Sequence, residues 1–179
     1  MPKYFAFLRA INVGGHIVKM DQLRKLFEEL GFENVETFIA SGNVIFDTRK
    51  SKTLLLENKI EQHLHQQLGY QSTTFIRSVS ELAAVADHKP FADSELEAKQ
   101  NTLFVGFLST EPPDAAKTKL KSLKNQFSDF HVNGRELYWL RRRLPDEPPF
   151  SSAPLEKTLG MAITFRNINT VKRLVSKYS

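Results

Sequence analysis

Apolar positions in this chain follow two rhythms, and the whole sequence of rhythms is played twice. Tyr4-Phe5-Ala6-Phe7-Leu8 is a short aromatic run ending near the turn-prone Asn12-Val13-Gly14-Gly15, and it predicts a buried strand. Met20, Leu23, Leu26, Phe27 and Leu30 then fall three and four apart, predicting a helix with Gly31 as its C-cap. Two strand-like runs follow, Val35 to Ile39 and Val44 to Phe46, joined by the hairpin signal Ser41-Gly42-Asn43. Leu56, Ile60, Leu64 and Leu68 mark a second helix closed by Gly69, and Thr73 to Ile76 predicts another strand. A short helix is expected from Ser80 to Ala86, with Ser80 at its N-cap.

The stretch from His88-Lys89-Pro90-Phe91 to Gln100 carries a proline and alternating charges and predicts a connector. The order then recurs. Leu103 to Leu108 is a strand, and Pro112-Pro113-Asp114 opens a helix whose buried stripe is Ala116, Leu120 and Leu123. Phe127 to Val132 and Glu136 to Leu140 flank the hairpin dipeptide Asn133-Gly134. Leu155 to Leu159 is a short helix and Met161 to Phe165 a strand; Val171, Leu174, Val175 and Tyr178 are the buried side of a closing helix. Both passes read β-α-β-β-α-β. The expected fold is α+β, two tandem ferredoxin-like subdomains, each a split βαβ unit with an antiparallel sheet. The boundaries expected are 1–87 for the first, 88–100 for the connector and 101–179 for the second with its closing helix.

Composition narrows the classes. Of 179 residues, 41% are hydrophobic and 14 are Phe, enough material for a packed interior without staples. The chain has no Cys, which excludes disulfides, thiolate nucleophiles and Cys-ligated zinc. Its first apolar stretch stops at Leu8 before Arg9, too short for a signal peptide, and no run approaches a membrane span. A cytoplasmic protein without membrane contact is expected. The net charge of +5 permits an anionic partner, either a phosphorylated small molecule or nucleic acid, yet a surplus this small is common in proteins that bind neither. The sequence does not fix an oligomeric state.

Topology makes one constellation interesting. In a ferredoxin-like sheet the end of the first strand lies beside the turn joining the second and third. Arg9, Asn12, Gly14 and Gly15 should therefore share an edge with Ser41, Gly42 and Asn43, where turn N–H groups beside an arginine can hold an anion. The plainer reading is that the glycines supply positive φ while Asn and Ser satisfy turn backbone. A second candidate is Arg166-Asn167-Ile168-Asn169-Thr170 before the closing helix. Asn167 or Asn169 could cap that helix and leave N–H groups for an anion near Arg166, or simply cap it. Arg141-Arg142-Arg143 is the densest basic run, but Asp146 and Glu147 follow closely, and alternation along a strand separates the three arginines. His63 and His65 diverge on their helix, the other histidines lack partners at ligand spacing, and neither a metal nor an organic cofactor is expected. Ser41 lacks the glycine that a nucleophile elbow needs two positions earlier, and there is no P-loop.

Three stretches resemble a bacterial family known as domain of unknown function 1697. They are Leu8-Arg9-Ala10-Ile11-Asn12-Val13-Gly14-Gly15 with Met20 and Leu23; Ser41-Gly42-Asn43-Val44-Ile45-Phe46; and Leu155-Glu156-Lys157 with Leu159-Gly160, then Thr164 to Val171. The resemblance implies paired ferredoxin-like units and no particular activity. The family usually has Gly where this chain has Ala10, Gln at Ala40 and Trp at Ile168, and the stretch Asp146 to Ala153 matches it poorly.

Two functions from different classes remain. One is a non-catalytic binding module for an anionic ligand, at the Arg9/Asn12/Ser41/Asn43 edge or in a groove between the halves. The other is a small-molecule enzyme with an interdomain pocket holding Arg9, Asn43 or Lys157 beside an acid or base.

Overall fold

The computed structural model describes every residue except Val13, Gly14, Ala40, Ser41, Ser51 and Ser179. The elements run β1 (Lys3–Leu8), α1 (Met20–Glu28), β2 (Glu33–Thr37), β3 (Asn43–Asp47), α2 (Thr53–Leu68), β4 (Thr74–Ser78) and α3 (Val79–Asp87). They continue with α4 (Asp93–Glu97), β5 (Asn101–Phe107), α5 (Asp114–Leu120), β6 (Ser128–Asn133), β7 (Glu136–Arg142), α6 (Ala153–Leu159), β8 (Thr164–Asn167) and α7 (Ile168–Tyr178). A turn of 3₁₀ helix, Lys121–Leu123, extends α5.

Each half builds one four-stranded antiparallel sheet, ordered β2-β3-β1-β4 and β6-β7-β5-β8. The two orders are the same once the strands are renumbered within each half, with the first strand in the interior and the last at an edge. This is the split βαβ arrangement of a ferredoxin-like fold. Packing divides the chain into two compact units, Met1–Ala83 with Leu174–Ser179, and Ala84–Arg173. The divisions fall within α3 and within α7.

In the first unit, Tyr4, Ala6, Leu8, Val44, Phe46 and Ile76 on the sheet meet Leu23, Leu26 and Phe27 of α1 and Leu56, Ile60 and Leu64 of α2. Period two on the strands and three-to-four spacing on the helices put these residues on facing surfaces. Phe46 is the hub, its ring centroid 4.4 Å from Phe32 and 5.7 Å from Phe27. In the second unit, Leu108 and Leu137 pack against Ala116, Leu120, Leu155 and Leu159. The hairpin there pairs Asn133 with Glu136, so its two-residue loop is Gly134-Arg135. Gly134 has φ 59°, which suits the first central position of a primed turn.

The stretch expected to be a plain connector contains helix α4. Glu95 on it receives two hydrogen bonds from Arg142 at 3.3 and 3.2 Å, while Asn101 Nδ2 donates to the Glu95 carbonyl at 2.9 Å. Those pairings tie the segment to β5 and β7. The Arg142 hydrogen bonds also hold the Glu95 carboxyl below the usual carboxylate range.

Candidate functional site

The rim at the end of β1 is assembled from three segments. The Leu8 N–H donates to the Gly42 carbonyl at 2.9 Å, and the Arg9 N–H donates to the Thr73 carbonyl at 2.9 Å. Ser72 Oγ donates to the Arg9 carbonyl at 2.8 Å, and the Tyr70 hydroxyl to the Ile11 carbonyl at 2.7 Å. Burial pushes that phenol's pKa up, and the His16 ring stacks on Tyr70 at 4.0 Å between centroids. Arg9, Asn12 and Gly15 thus share an edge with Gly42 and Asn43, while Gly14 and Ser41 lie outside the described residues.

Much of this rim's polar chemistry goes into holding its loops. Asn12 Oδ1 accepts the Val18 N–H at 2.7 Å, and the buried Asn43 donates Nδ2 to the Phe38 carbonyl at 3.0 Å. The backbone is tightly turned, with φ of 57° at Ala10, 83° at Gly15, 60° at Ile39 and 77° at Gly42. At Gly42 a Cβ would stand 3.0 Å from Ile11 Cγ2 and 3.1 Å from Leu8 Cβ, so a side chain is disfavoured by crowding as well as by φ.

The remaining candidates belong to the second unit, where Asn167 and Asn169 line one cleft and Lys157 and Arg166 do not line it. Lys157 is exposed on the last turn of α6. Arg166 on β8 is buried and donates Nη1 to Thr164 Oγ1 at 2.8 Å and to the Phe165 carbonyl at 2.9 Å. Burial lowers its pKa to about 10, which leaves it charged at neutral pH. Asn167 caps the start of α7, its Oδ1 accepting the Asn169 N–H at 2.9 Å.

Asn167 and Asn169 open onto a polar cleft of ≈ 660 Å³. Arg143 and Lys172, both exposed, are among its lining residues. Among the described residues no ion pair joins either to a carboxylate: Glu147, which feels the charge of Arg143, is held by Arg141 at 2.7 Å. The Arg143 N–H donates to the Gln100 carbonyl at 3.0 Å, which fixes the end of β7 at the cleft. Asp87 and Glu97 also line the cleft, as do Lys89 and Asp93, which pair at 3.3 Å.

The sequence reading missed this cleft. Its basic lining joins the last residue of an arginine run to a lysine twenty-nine positions later, and of its acids Asp93 and Glu97 come from the segment read as a connector. The signals were Asn167 and Asn169, named as candidates before the closing helix, and the arginine run, whose members do part ways: Arg141 binds Glu147, Arg142 binds Glu95, and Arg143 lines the cleft. Among the described residues no group of three metal-ligating side chains occurs, and no helix is long and apolar enough to cross a membrane.

Fold and site together define an α+β protein of two tandem ferredoxin-like units with a polar cleft in the second. The chain belongs to the family described as protein of unknown function DUF1697, whose model matches residues 1–138. The match takes in the rim motifs and stops before Arg143, Asn167 and Lys172. No curated protein matches the chain. Among solved structures, the conserved bacterial protein SP0830 from Streptococcus pneumoniae is similar over 98% of this chain and 97% of its own. Its TM-score is 0.70 at 24% identity, a likeness of fold.

Proposed function

We propose that this protein is a non-catalytic binding module for a phosphorylated small molecule, held in the cleft at the start of α7. The observation that carries the reading is the pair Arg143 and Lys172: two cations that form no ion pair among the described residues and line a cleft of ≈ 660 Å³ at a helix start. That volume lies in the range of small-molecule pockets, roughly 300–1,000 Å³. It favours a small ligand over a nucleic-acid strand, which would need an extended basic track. Asp87 and Glu97, which also line the cleft, suit a ligand whose other groups are hydroxyls or amines. A reducing cytoplasm is the setting we propose, in keeping with a chain that has no Cys.

Calorimetric titration with AMP at low and high salt tests this. Saturable binding should weaken as salt rises, and Arg143→Gln with Lys172→Gln should weaken it at least about tenfold. AMP binding that ignores both substitutions would refute the assignment.

A further inference from the structure

A second group of cations gathers in the first unit, where α2 begins. Lys50, Lys52 and Lys59 line a cleft of ≈ 390 Å³ whose apolar lining is Leu55 and Leu56. Lys59 is tethered: its Nζ donates to the Leu30 carbonyl at 3.2 Å and lies 5.7 Å from the centre of the Phe32 ring. Lys50 is exposed, its backbone N–H donates to Thr48 Oγ1 at 3.3 Å, and it lines the same cleft as Lys59. The neighbouring Lys50, with burial behind it, lowers the Lys59 pKa.

Two ammonium groups brought together repel each other unless a negative charge lies between them. Among the described residues none of the three lysines forms an ion pair with a carboxylate. The first turn of α2 carries no acid. Asp47, at the end of β3, is already taken by Lys3 at 2.9 Å and Asn34 at 2.8 Å. The cleft therefore presents three cations to whatever enters it. Beside the lysines Leu54 and Leu55 are 58% and 60% exposed, an apolar surface continuous with the cleft.

We infer that this cleft is a second ligand site, for a soluble phosphate monoester carried on a short apolar body. The phosphate bridges Lys50 and Lys59 with Lys52 at the mouth, and the apolar body covers Leu55 and Leu56. Charge complementarity selects the head and the leucines select the tail, so neither part alone satisfies the site. The inference uses residues and a unit separate from the Arg143 cleft and stands or falls independently of it.

Hexyl phosphate, inorganic phosphate and hexanol are the probes, titrated into the full chain and followed by NMR at the amides of residues 50–59. Hexyl phosphate should bind more tightly than inorganic phosphate, and hexanol should give no saturable shifts. Lys50→Gln should weaken hexyl phosphate about tenfold or more, and Lys59→Gln should do the same. Because Lys59 also supports Leu30 and Phe32, the exposed Lys50 decides the matter should the Lys59 variant lose its fold. Hexyl phosphate binding left intact by Lys50→Gln would overturn the inference. So would the absence of saturable binding, or association only with phosphatidylcholine vesicles containing phosphatidic acid, which would make the patch a membrane contact.

Discussion

Arg77 and Arg166 occupy the same place in the two halves of the chain. Arg77 stands opposite Phe5 across the β1–β4 ladder, and Arg166 opposite Val105 across β5–β8. Both are buried, and each donates Nη1 to the carbonyl of the residue before it at 2.9 Å. In both halves the edge strand also runs into a helix without a loop, Ser78 into Val79 and Asn167 into Ile168. The second half therefore repeats the first beyond its strand order, down to a costly buried guanidinium.

That cost makes Arg166 a sensitive position. Arg166→Ala leaves the Thr164 hydroxyl without this donor and opens a cavity, and it should destabilise the chain by about 2–4 kcal/mol. Arg166→Met keeps much of the volume and removes the charge, so it should cost less. Urea denaturation of the two variants checks the order; equal losses would contradict it.

The rim is tested by three glycine exchanges. Gly15 has open space around its missing Cβ, so Gly15→Ala should cost only the left-handed backbone penalty, about 1 kcal/mol. Gly42→Ala adds the collision with Ile11 and Leu8 and should cost about 2–3 kcal/mol. Ala10→Gly relieves a φ of 57° and should stabilise the chain by up to about 1 kcal/mol. Denaturation midpoints read all three, and a Gly42→Ala loss no larger than that of Gly15→Ala would show that the rim relaxes freely.

A pH dependence follows from His131. Burial, and then the charge of His88 with rings 5.6 Å apart, lower the His131 pKa below 6.5. The folded chain thus binds fewer protons than the unfolded one in the window beneath that value. This contribution to stability is complete above about pH 6.5 and is lost as pH falls through the folded pKa. His131→Gln should shrink the drop in denaturation midpoint between about pH 7.5 and about pH 5. An unchanged drop would assign the acid sensitivity to other groups.

The Lys50–Lys59 pair has its own readout. Lys59 should titrate below the ordinary lysine range by NMR of its Cε resonance, and Lys50→Gln should move it back up, since the neighbouring Lys50 is the largest cause of the shift. A Lys59 titration indifferent to Lys50 would remove the electrostatic premise of the second site.

The fold was legible because it is written in local spacing. Leu56, Ile60 and Leu64 lie on one helical stripe and are all buried, and Tyr4, Ala6 and Leu8 alternate onto one strand face. The shared edge of Asn12 and Asn43 was legible too, because strand order alone brings β1 next to the β2–β3 turn. The cleft was not. It depends on Glu95 meeting Arg142 forty-seven residues away, and on which member of an arginine run turns which way. Periodicity tells which face a residue occupies, and it is silent about which distant face arrives opposite.

The central claim concerns Arg143 and Lys172, and an NMR titration of the isotope-labelled full chain with AMP addresses it directly. The amides of Arg143 and of Asn167 to Lys172 should shift together to saturation, and the Arg143→Gln/Lys172→Gln protein should lose that response while keeping its dispersed spectrum. Saturable shifts that leave those residues untouched, or that persist in the double variant, would contradict the account.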